Sequence, residues 1–386
     1  SVDTWLTPRN ASVSIVQPLY QGGRVNSLKD QAKAGVLAAR QGLRDAEQTV
    51  LLSAATAYLD VLRDEEAARI RRNNVMVLGR QLTAAQDRFD VGEGTRTDIA
   101  QANARLAASD IGLANADAQL AISRAAYVRF IGRPPEQLSA PPVFILPDNL
   151  TDAMLKGRAN NPQLVAARYN ESAARASIGV AKSAGKPVVS INGSLQGARK
   201  SSANVPLSES ASITAQISVP IFSGGANRSR VRAAQQAQTR TKFETRETEQ
   251  AVDQTISNLW AQVDAAKRSL AASRRQVDAA EIAFEGVELE QQVGTRNTLD
   301  VLDAEQELLN AKLSVVQAER NLNLARYQLL VTMGGFDAYS LGLDTAIYDP
   351  NANFEKVTQG KPLGFVSKIV PDNLPWQSAP EAEVID

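Results

Sequence analysis

The 386-residue chain contains no cysteine and no histidine. The first absence excludes a disulfide framework and a thiolate site, while leaving the redox compartment open. The second removes the commonest general base and the commonest metal ligand, which weakens the case for an enzyme; no cofactor and no catalytic residue is expected. Aromatic residues make up only 5 % of the chain, and its apolar content is largely Ala, Leu and Val, which does not suit a large globular core. Neither sign of charge is in excess: Lys+Arg and Asp+Glu both number 42, so there is no basic surface to displace counterions from a nucleic acid. A run of roughly 18 apolar residues is also missing, so no transmembrane helix is expected. The start, Ser1-Val2-Asp3-Thr4-Trp5, does not have the pattern of a signal peptide.

What is present is a tandem repeat. Pro18-Leu19-Tyr20-Gln21-Gly22-Gly23 returns as Pro220-Ile221-Phe222-Ser223-Gly224-Gly225, an offset of 202 residues. The register then holds without a gap: Tyr58 meets Trp260, Val91-Gly92 meets Val293-Gly294, Asp98 meets Asp300, and Ile131-Gly132 meets Met333-Gly334. A repeat this long is not one unit of a short-repeat solenoid and points to two pseudo-symmetric halves of a wall.

Each half carries a long proline-free stretch, from about Asn26 to Phe89 and from Asn227 to about Val293. Such a stretch predicts a helix of ~100 Å at ~1.5 Å per residue. Both end at a Val-Gly turn, Val91-Gly92 and Val293-Gly294-Thr295, where glycine can take the left-handed conformation that stops a helix. The return helices carry a heptad seam. Val301, Leu308, Val315, Leu322 and Leu329 alternate with Ala304, Ala311, Ala318 and Ala325, and Ile99, Leu106, Leu113, Leu120 and Tyr127 do the same at the offset. A second stripe, Leu302, Leu309, Val316 and Leu330, predicts neighbours on two sides of that helix. Heptads alone fit a soluble antiparallel coiled coil equally well.

The strands separate these possibilities. Ser210 to Val219 alternates strictly, with Ala211, Ile213, Ala215, Ile217 and Val219 apolar and small polar residues between; Ala11 to Ile15 and Val189 to Gln196 alternate likewise. Segments of about ten alternating residues suit a membrane-spanning β-barrel, with the apolar set facing lipid, although soluble sandwich strands alternate too. Three or so strands cannot close a barrel, so closure would need several chains.

With these residues in place, the chain resembles the TolC-type outer-membrane efflux and secretion channels. The likeness rests on the duplicated Pro18–Gly23 and Pro220–Gly225 turns, on Arg88-Phe89-Asp90-Val91-Gly92 with Thr97-Asp98, on Val293-Gly294-Thr295-Arg296 followed by Asp300-Val301-Leu302-Asp303-Ala304, and on Asn161-Pro162. The tail, Leu341-Gly342-Leu343 with Tyr348-Asp349-Pro350 and Phe354, is similar to members serving type I protein secretion. The resemblance implies a mainly α fold with a small β part: a long antiparallel coiled-coil α-barrel and a transmembrane β-barrel, both built by a homotrimer. It implies a passive exit duct in the outer membrane of a Gram-negative bacterium, extending into the periplasm. The implied partners are outer-membrane lipid, a periplasmic adaptor and an inner-membrane transporter of the ABC or proton-driven type. The other reading is a soluble coiled-coil scaffold or periplasmic adaptor.

Residues 1–132 then form a first repeat, 133–160 a linker and equatorial segment, 161–334 the second repeat, and 335–386 a C-terminal equatorial segment and tail, with Trp376 in an extended strap or a disordered tail. First-repeat counterparts of the helix from Asn161 and of the strand near Val189 would fall before Ser1, so the sequence given is expected to lack one helix and one strand. The resemblance places Asp300 and Asp303, one helical turn apart, in stacked carboxylate rings at the periplasmic entrance; without it they are a solvated acidic face continued by Glu307. It makes Arg296 a tie from the closed turn to Thr97 and Asp98, with Gln291 standing where the family has an aromatic hydroxyl; otherwise Arg296 is an exposed turn residue. It makes Val91, Gly92, Val293, Gly294 and Thr295 the surface that meets the adaptor.

Overall fold

The computed structural model describes residue 7, residues 9–202 and residues 205–342. The tail residues from Leu343 onward, including Tyr348, Phe354 and Trp376, lie outside them, as does the start through Leu6. The order is β1 (Arg9–Gln21), α1 (Arg24–Asp90), α2 (Arg96–Ile131), α3 (Leu150–Asn160), α4 (Pro162–Ser183), β2 (Val188–Ser202), β3 (Val205–Ser218), α5 (Ala226–Gln292) and α6 (Thr298–Thr332). Helix dominates and the sheet is small, as the sequence predicts.

α1 and α5 are each 67 residues long, and their bounds differ by 202 positions. Both start after a left-handed glycine pair, with Gly23 at φ 82° and Gly225 at φ 85°. That conformation costs an L side chain about 1–2 kcal/mol but glycine nothing. At Gly22 the chain also passes close to the end of α4: a Cβ there would lie 2.7 Å from Lys186 Cβ and 2.9 Å from the Ser183 carbonyl.

α1 and α2 form one antiparallel hairpin, α5 and α6 the other. α6 is the best-buried helix. One side carries Leu308, Ala311, Leu322, Ala325 and Leu329 against Ala280, Val252, Ile256 and Val263 of α5. The other carries Leu302 and Tyr327 against Leu78, Ala85 and Leu59 of α1. The two stripes read from the sequence are therefore both occupied. Val301 and Leu329 are fully enclosed, and each such side chain contributes about 1.5–3 kcal/mol.

The middle of the bundle is thickened by the connections. Asn149 caps α3 by accepting the Asp152 N–H at 2.8 Å. The helix lies inside the stretch read as linker, and its cap, Asn149-Leu150-Thr151-Asp152, was the available signal. Asn161 does two things: its Oδ1 accepts the Leu164 N–H at 3.0 Å and its Nδ2 donates to the Thr332 carbonyl at 2.9 Å, tying the start of α4 to the end of α6. Phe144 meets Tyr327 and Phe336 edge-on, and those two rings lie tilted against each other, with all three centroid distances at 5.5–6.1 Å. Arg44 then donates to Asp337 and to the Gly334 carbonyl, both at 2.8 Å. Tyr58 and Trp260 are packing residues here, Tyr58 also donating to the Ser139 carbonyl at 2.6 Å.

The sheet is antiparallel in the order β1-β2-β3, leaving β1 and β3 as edges. Two expectations need correction. Pro18 to Gln21 is not part of a turn but continues β1, with a register shift between Pro18 and Tyr20 that sets Tyr20 opposite Val189. Proline is tolerated because β1 is an edge and the irregularity sits beside it. At the other edge Val219 falls outside β3, because Ser218 pairs with Val188, the first residue of β2, and no ladder partner remains beyond it.

Two left-handed glycines should respond differently to substitution. Gly132 (φ 85°) has nothing within 4 Å of an added Cβ, whereas at Gly334 (φ 75°) the Cβ would sit 2.2 Å from the Asn160 carbonyl oxygen. Gly132→Ala should cost about 1–2 kcal/mol and Gly334→Ala clearly more, because a backbone atom must move. Chemical denaturation of both variants checks the order; equal losses would mean that the α3–α6 junction has slack.

Candidate functional site at the hairpin tips and the sheet

Both tips are built by the same backbone device. After α1, Gly92 N–H bonds to Phe89 O at 3.0 Å and Glu93 N–H to Arg88 O at 2.8 Å; after α5, Gly294 bonds to Gln291 O at 3.0 Å and Thr295 to Glu290 O at 2.9 Å. This is the Schellman closure, with Gly92 at φ 84° and Gly294 at φ 83°. The valines before them project outward, Val91 being 72 % and Val293 76 % exposed. Each tip therefore ends in an apolar knob on a rigid turn.

Capping boxes begin the return helices. Thr95 Oγ1 accepts the Asp98 N–H at 3.2 Å while Asp98 Oδ2 accepts the Thr95 N–H at 2.9 Å. Asn297 and Asp300 exchange the same two bonds, at 2.9 and 3.2 Å. Asp98 and Asp300 are thus first of all helix caps, favoured also by the positive end of the helix dipole. Asp303, a turn further on, is exposed and accepts from Arg105 of α2 at 2.5 Å. The neighbouring hairpin thereby supplies a cation to the acidic face, a partner that sequence spacing could not show.

Within the chain Arg296 does not reach Thr97 or Asp98. Its Nε donates to Glu290 Oε2 at 2.8 Å. The bond to Glu290, the charge of Glu290 and that of Asp300 all raise its already high pKa. The reason is proximity along the turn: the Schellman geometry folds Arg296 back over the last turn of α5, and Asp98 is engaged by its own cap. Thr97 is exposed at the start of α2. Gln291 is buried and donates to Thr298 Oγ1 at 3.3 Å, so it ties α5 to α6 inside one hairpin. Glu290 was not among the residues picked from sequence, and only its position at the foot of α5, six residues before Arg296, pointed to it.

At the opposite ends of α1 and α5 the sheet presents two unlike faces. Ala211, Ile213, Ala215 and Ile217 are in register with Leu195, Gly193, Ile191 and Val189, and Val13 and Ile15 continue the apolar rows on β1. The alternate positions hold Ser194 and Ser212, whose hydroxyls lie 2.9 Å apart, and Asn192, which donates to Gln216 at 3.4 Å. None of the described residues covers the apolar face: Ile213 is 86 % and Ile217 69 % exposed. Among the described residues no helix is long and apolar enough to cross a membrane.

The family model described as outer membrane efflux protein matches residues 2–133 and 156–335. The chain is 32 % identical over 353 residues to the outer membrane efflux protein BepC of Brucella suis, covering 91 % of this chain and 77 % of that protein. It is 26 % identical over 334 residues to the outer membrane protein TolC of Vibrio cholerae, covering 84 % and 74 %. A crystal structure of CusC, studied for folding and transmembrane channel formation, superposes with a TM-score of 0.76 at 18 % identity over 87 % of this chain and 80 % of that one, a likeness of fold. Since the matched family covers both hairpins and the sheet, the chain belongs to the outer membrane efflux proteins, the TolC-type channels that sit in the outer membrane of Gram-negative bacteria and extend into the periplasm.

Proposed function

We propose that three copies of this chain close a tube that serves as the passive exit duct of a tripartite efflux or type I secretion system, and that the tandem duplication makes the wall of six alike hairpins. The observation that carries this reading is a bare seam on α2. Ala100, Ala104, Ala107, Ile111, Ala114, Ala118, Ala121, Ala125 and Val128 recur at alternating spacings of four and three residues, and every one is exposed. At the offset of 202 these are the positions by which α6 packs on α1, Leu302, Leu309, Val316 and Tyr327 among them, all at least half-buried. α5 offers a matching row in Ala265, Ala272 and Ala279, also exposed and equivalent to Arg63, Ile70 and Val77 of α1. Small residues on both sides allow close helix approach, so α2 of one copy fits α5 of the next, and the joint repeats until the ring closes.

A second bare row agrees with this. Val36, Leu43 and Val50 of α1 are exposed, while their equivalents on α5, Gln238, Thr245 and Val252, are covered by α4. A helix like α4, preceding this sequence in its protein, fits there, and a strand following it would pair with the free edge of β1. The barrel so completed turns Ala211, Ile213, Ala215 and Ile217 to lipid and Ser194, Ser212 and Asn192 to a watery lumen. The uncovered apolar sheet face disfavours a soluble scaffold or adaptor.

The tips form the periplasmic entrance in this reading. Val91, Gly92, Val293, Gly294 and Thr295 meet the hairpins of a periplasmic adaptor, which links the duct to an inner-membrane transporter of the ABC or proton-driven type. Asp300 and Asp303 of three copies ring the pore and draw cations, with Arg105 offsetting part of that charge. Arg296, Thr97, Asp98 and Gln291 hold the closed turns, Arg296 exchanging Glu290 for a neighbouring tip. The similarity to BepC, an outer membrane efflux protein, favours efflux over protein secretion.

Assembly tests the carrying observation. Ala114→Glu with Ala118→Glu should leave helix content intact and reduce the particle to monomers, because each carboxylate buried unpaired in the joint costs several kcal/mol. The mass of the cross-linked full-length protein in detergent reads the outcome; a persistent trimer would move the joint elsewhere. For the pore, Asp300→Asn with Asp303→Asn removes the charge, while the amide oxygen introduced by the first substitution still accepts the Asn297 N–H. Single-channel recordings should then lose block by multivalent cations and much of the cation preference, and unchanged block would make the acidic pair a solvated helix face.

A further inference from the structure

One carboxyl group in the wall belongs to none of these roles. Glu305 lies on α6 nearly a turn and a half beyond Asp300, yet it is only 7 % exposed, at the floor of a groove of about 790 Å³ between α1, α5 and α6. Asn74 of α1, itself 5 % exposed, donates from Nδ2 to its Oε1 at 2.9 Å, and this is the hydrogen bond it receives among the described residues. Among those residues no cation pairs with it directly. Lys312 on the same helix is drawn to Glu281 of α5 at 3.2 Å, α5 adds Glu288, α1 adds Arg80, and Arg105 of α2 is held by Asp303. The bond to Asn74 spans 231 residues and joins the first hairpin to the second, within a few turns of the Leu302 contact with Leu78 and Ala85.

We propose that Glu305 makes the α1–α6 joint tighten in acid: the two hairpins hold together while this carboxyl is neutral, and loosen when it ionises. A neutral carboxyl keeps the Asn74 bond and is inexpensive to bury, whereas a carboxylate with one amide donor and Glu288 nearby must regain water through the groove, which pries the helices apart. The proton is exchanged with water in that groove. Burial, the largest influence, pushes the Glu305 pKa above the ordinary carboxyl value; Asn74 and Lys312 pull it down, Glu288 pushes it up and Arg80 pulls it down. The sign follows: the closed joint binds the proton more tightly than the open one, so the added stability is complete below the ordinary carboxyl pKa and is lost as pH rises through the raised one. Because both helices belong to one chain, this joint is separate from the contact between copies proposed above.

Hydrogen-exchange protection of the first turns of α6, Thr298 to Leu309, tests it in the full-length protein in nanodiscs at pH 5 and pH 8. Wild-type protection should fall several-fold at the higher pH, and Glu305→Gln should keep the acid level at both. Glu288→Gln should move the transition to lower pH. Asn74→Ala, which removes the one donor to the anion, should move it to higher pH and keeps the question decidable if Glu305→Gln folds poorly. Equal wild-type protection at the two pH values, a full pH response retained in Glu305→Gln, or an unmoved transition in Asn74→Ala would each overturn the proposal. Trimer mass measured on the same samples separates this outcome from a failure of the ring itself.

Discussion

The structure depends on one helix being packed on both flanks. α6 sets its heptad seam against α5 and its second stripe against α1, and that double contact, together with α4 packed on both α1 and α5, joins the two hairpins. An α-helix offers such a surface only if apolar residues recur on two lines at once, and α6 achieves it by doubling the stripe with Leu302, Leu309 and Val316. The polar bridges Arg320–Asp60 at 2.9 Å and Asn74–Glu305 fix the register of the same joint. α2, built to the same spacing but with alanine, meets α6 near its start, where Ala102 packs by Leu302 and Arg105 reaches Asp303, while its alanine row stays exposed among the described residues. The proposed ring of copies rests on that asymmetry between a filled joint and an empty one.

The sheet poses the complementary problem. In water an apolar face exposed to the extent of Ile213 and Ile217 would be covered by a helix or a second sheet. Here the polar set shares hydrogen bonds across strands while the apolar set meets none of the described residues, which is what the proposed barrel, with lipid on one side and water on the other, requires. The long helices then separate two environments by ~100 Å, with the apolar strands at one end and the charged, capped turns at the other.

At the tips, electrostatics is largely local. Asp98 and Asp300 are held by backbone N–H groups, Asp303 by Arg105 and Arg296 by Glu290. The two exposed ion pairs, Asp303 with Arg105 and Arg296 with Glu290, contribute little to stability. Their consequence is geometric: Arg296 and Asp303 are engaged within the chain, so a contact between tips that recruits Arg296 is an exchange of partners, with Glu290 yielding it.

Much of the fold was legible in the sequence, because period and punctuation are local properties. The absence of proline between residues 24 and 90, the Val-Gly stops, the two stripes on α6 and the strict alternation of Ser210 to Ser218 each dictate an element through backbone sterics or side-chain spacing alone, and the offset of 202 dictated equal lengths for α1 and α5. Strand ends were not legible, since Pro18 to Gln21 extends β1 only because β2 is there to pair with it, and Val219 lies outside β3 because β2 has begun by then. The partners of the candidate site were decided by tertiary structure for the same reason: Arg105 reaches Asp303 across 198 residues and Asn74 reaches Glu305 across 231, and nothing in either local sequence encodes which helix will stand beside it. Local sequence dictates what a residue can do within a turn or two of itself; which charge it meets across a helix joint depends on how two separately determined surfaces come to lie against each other.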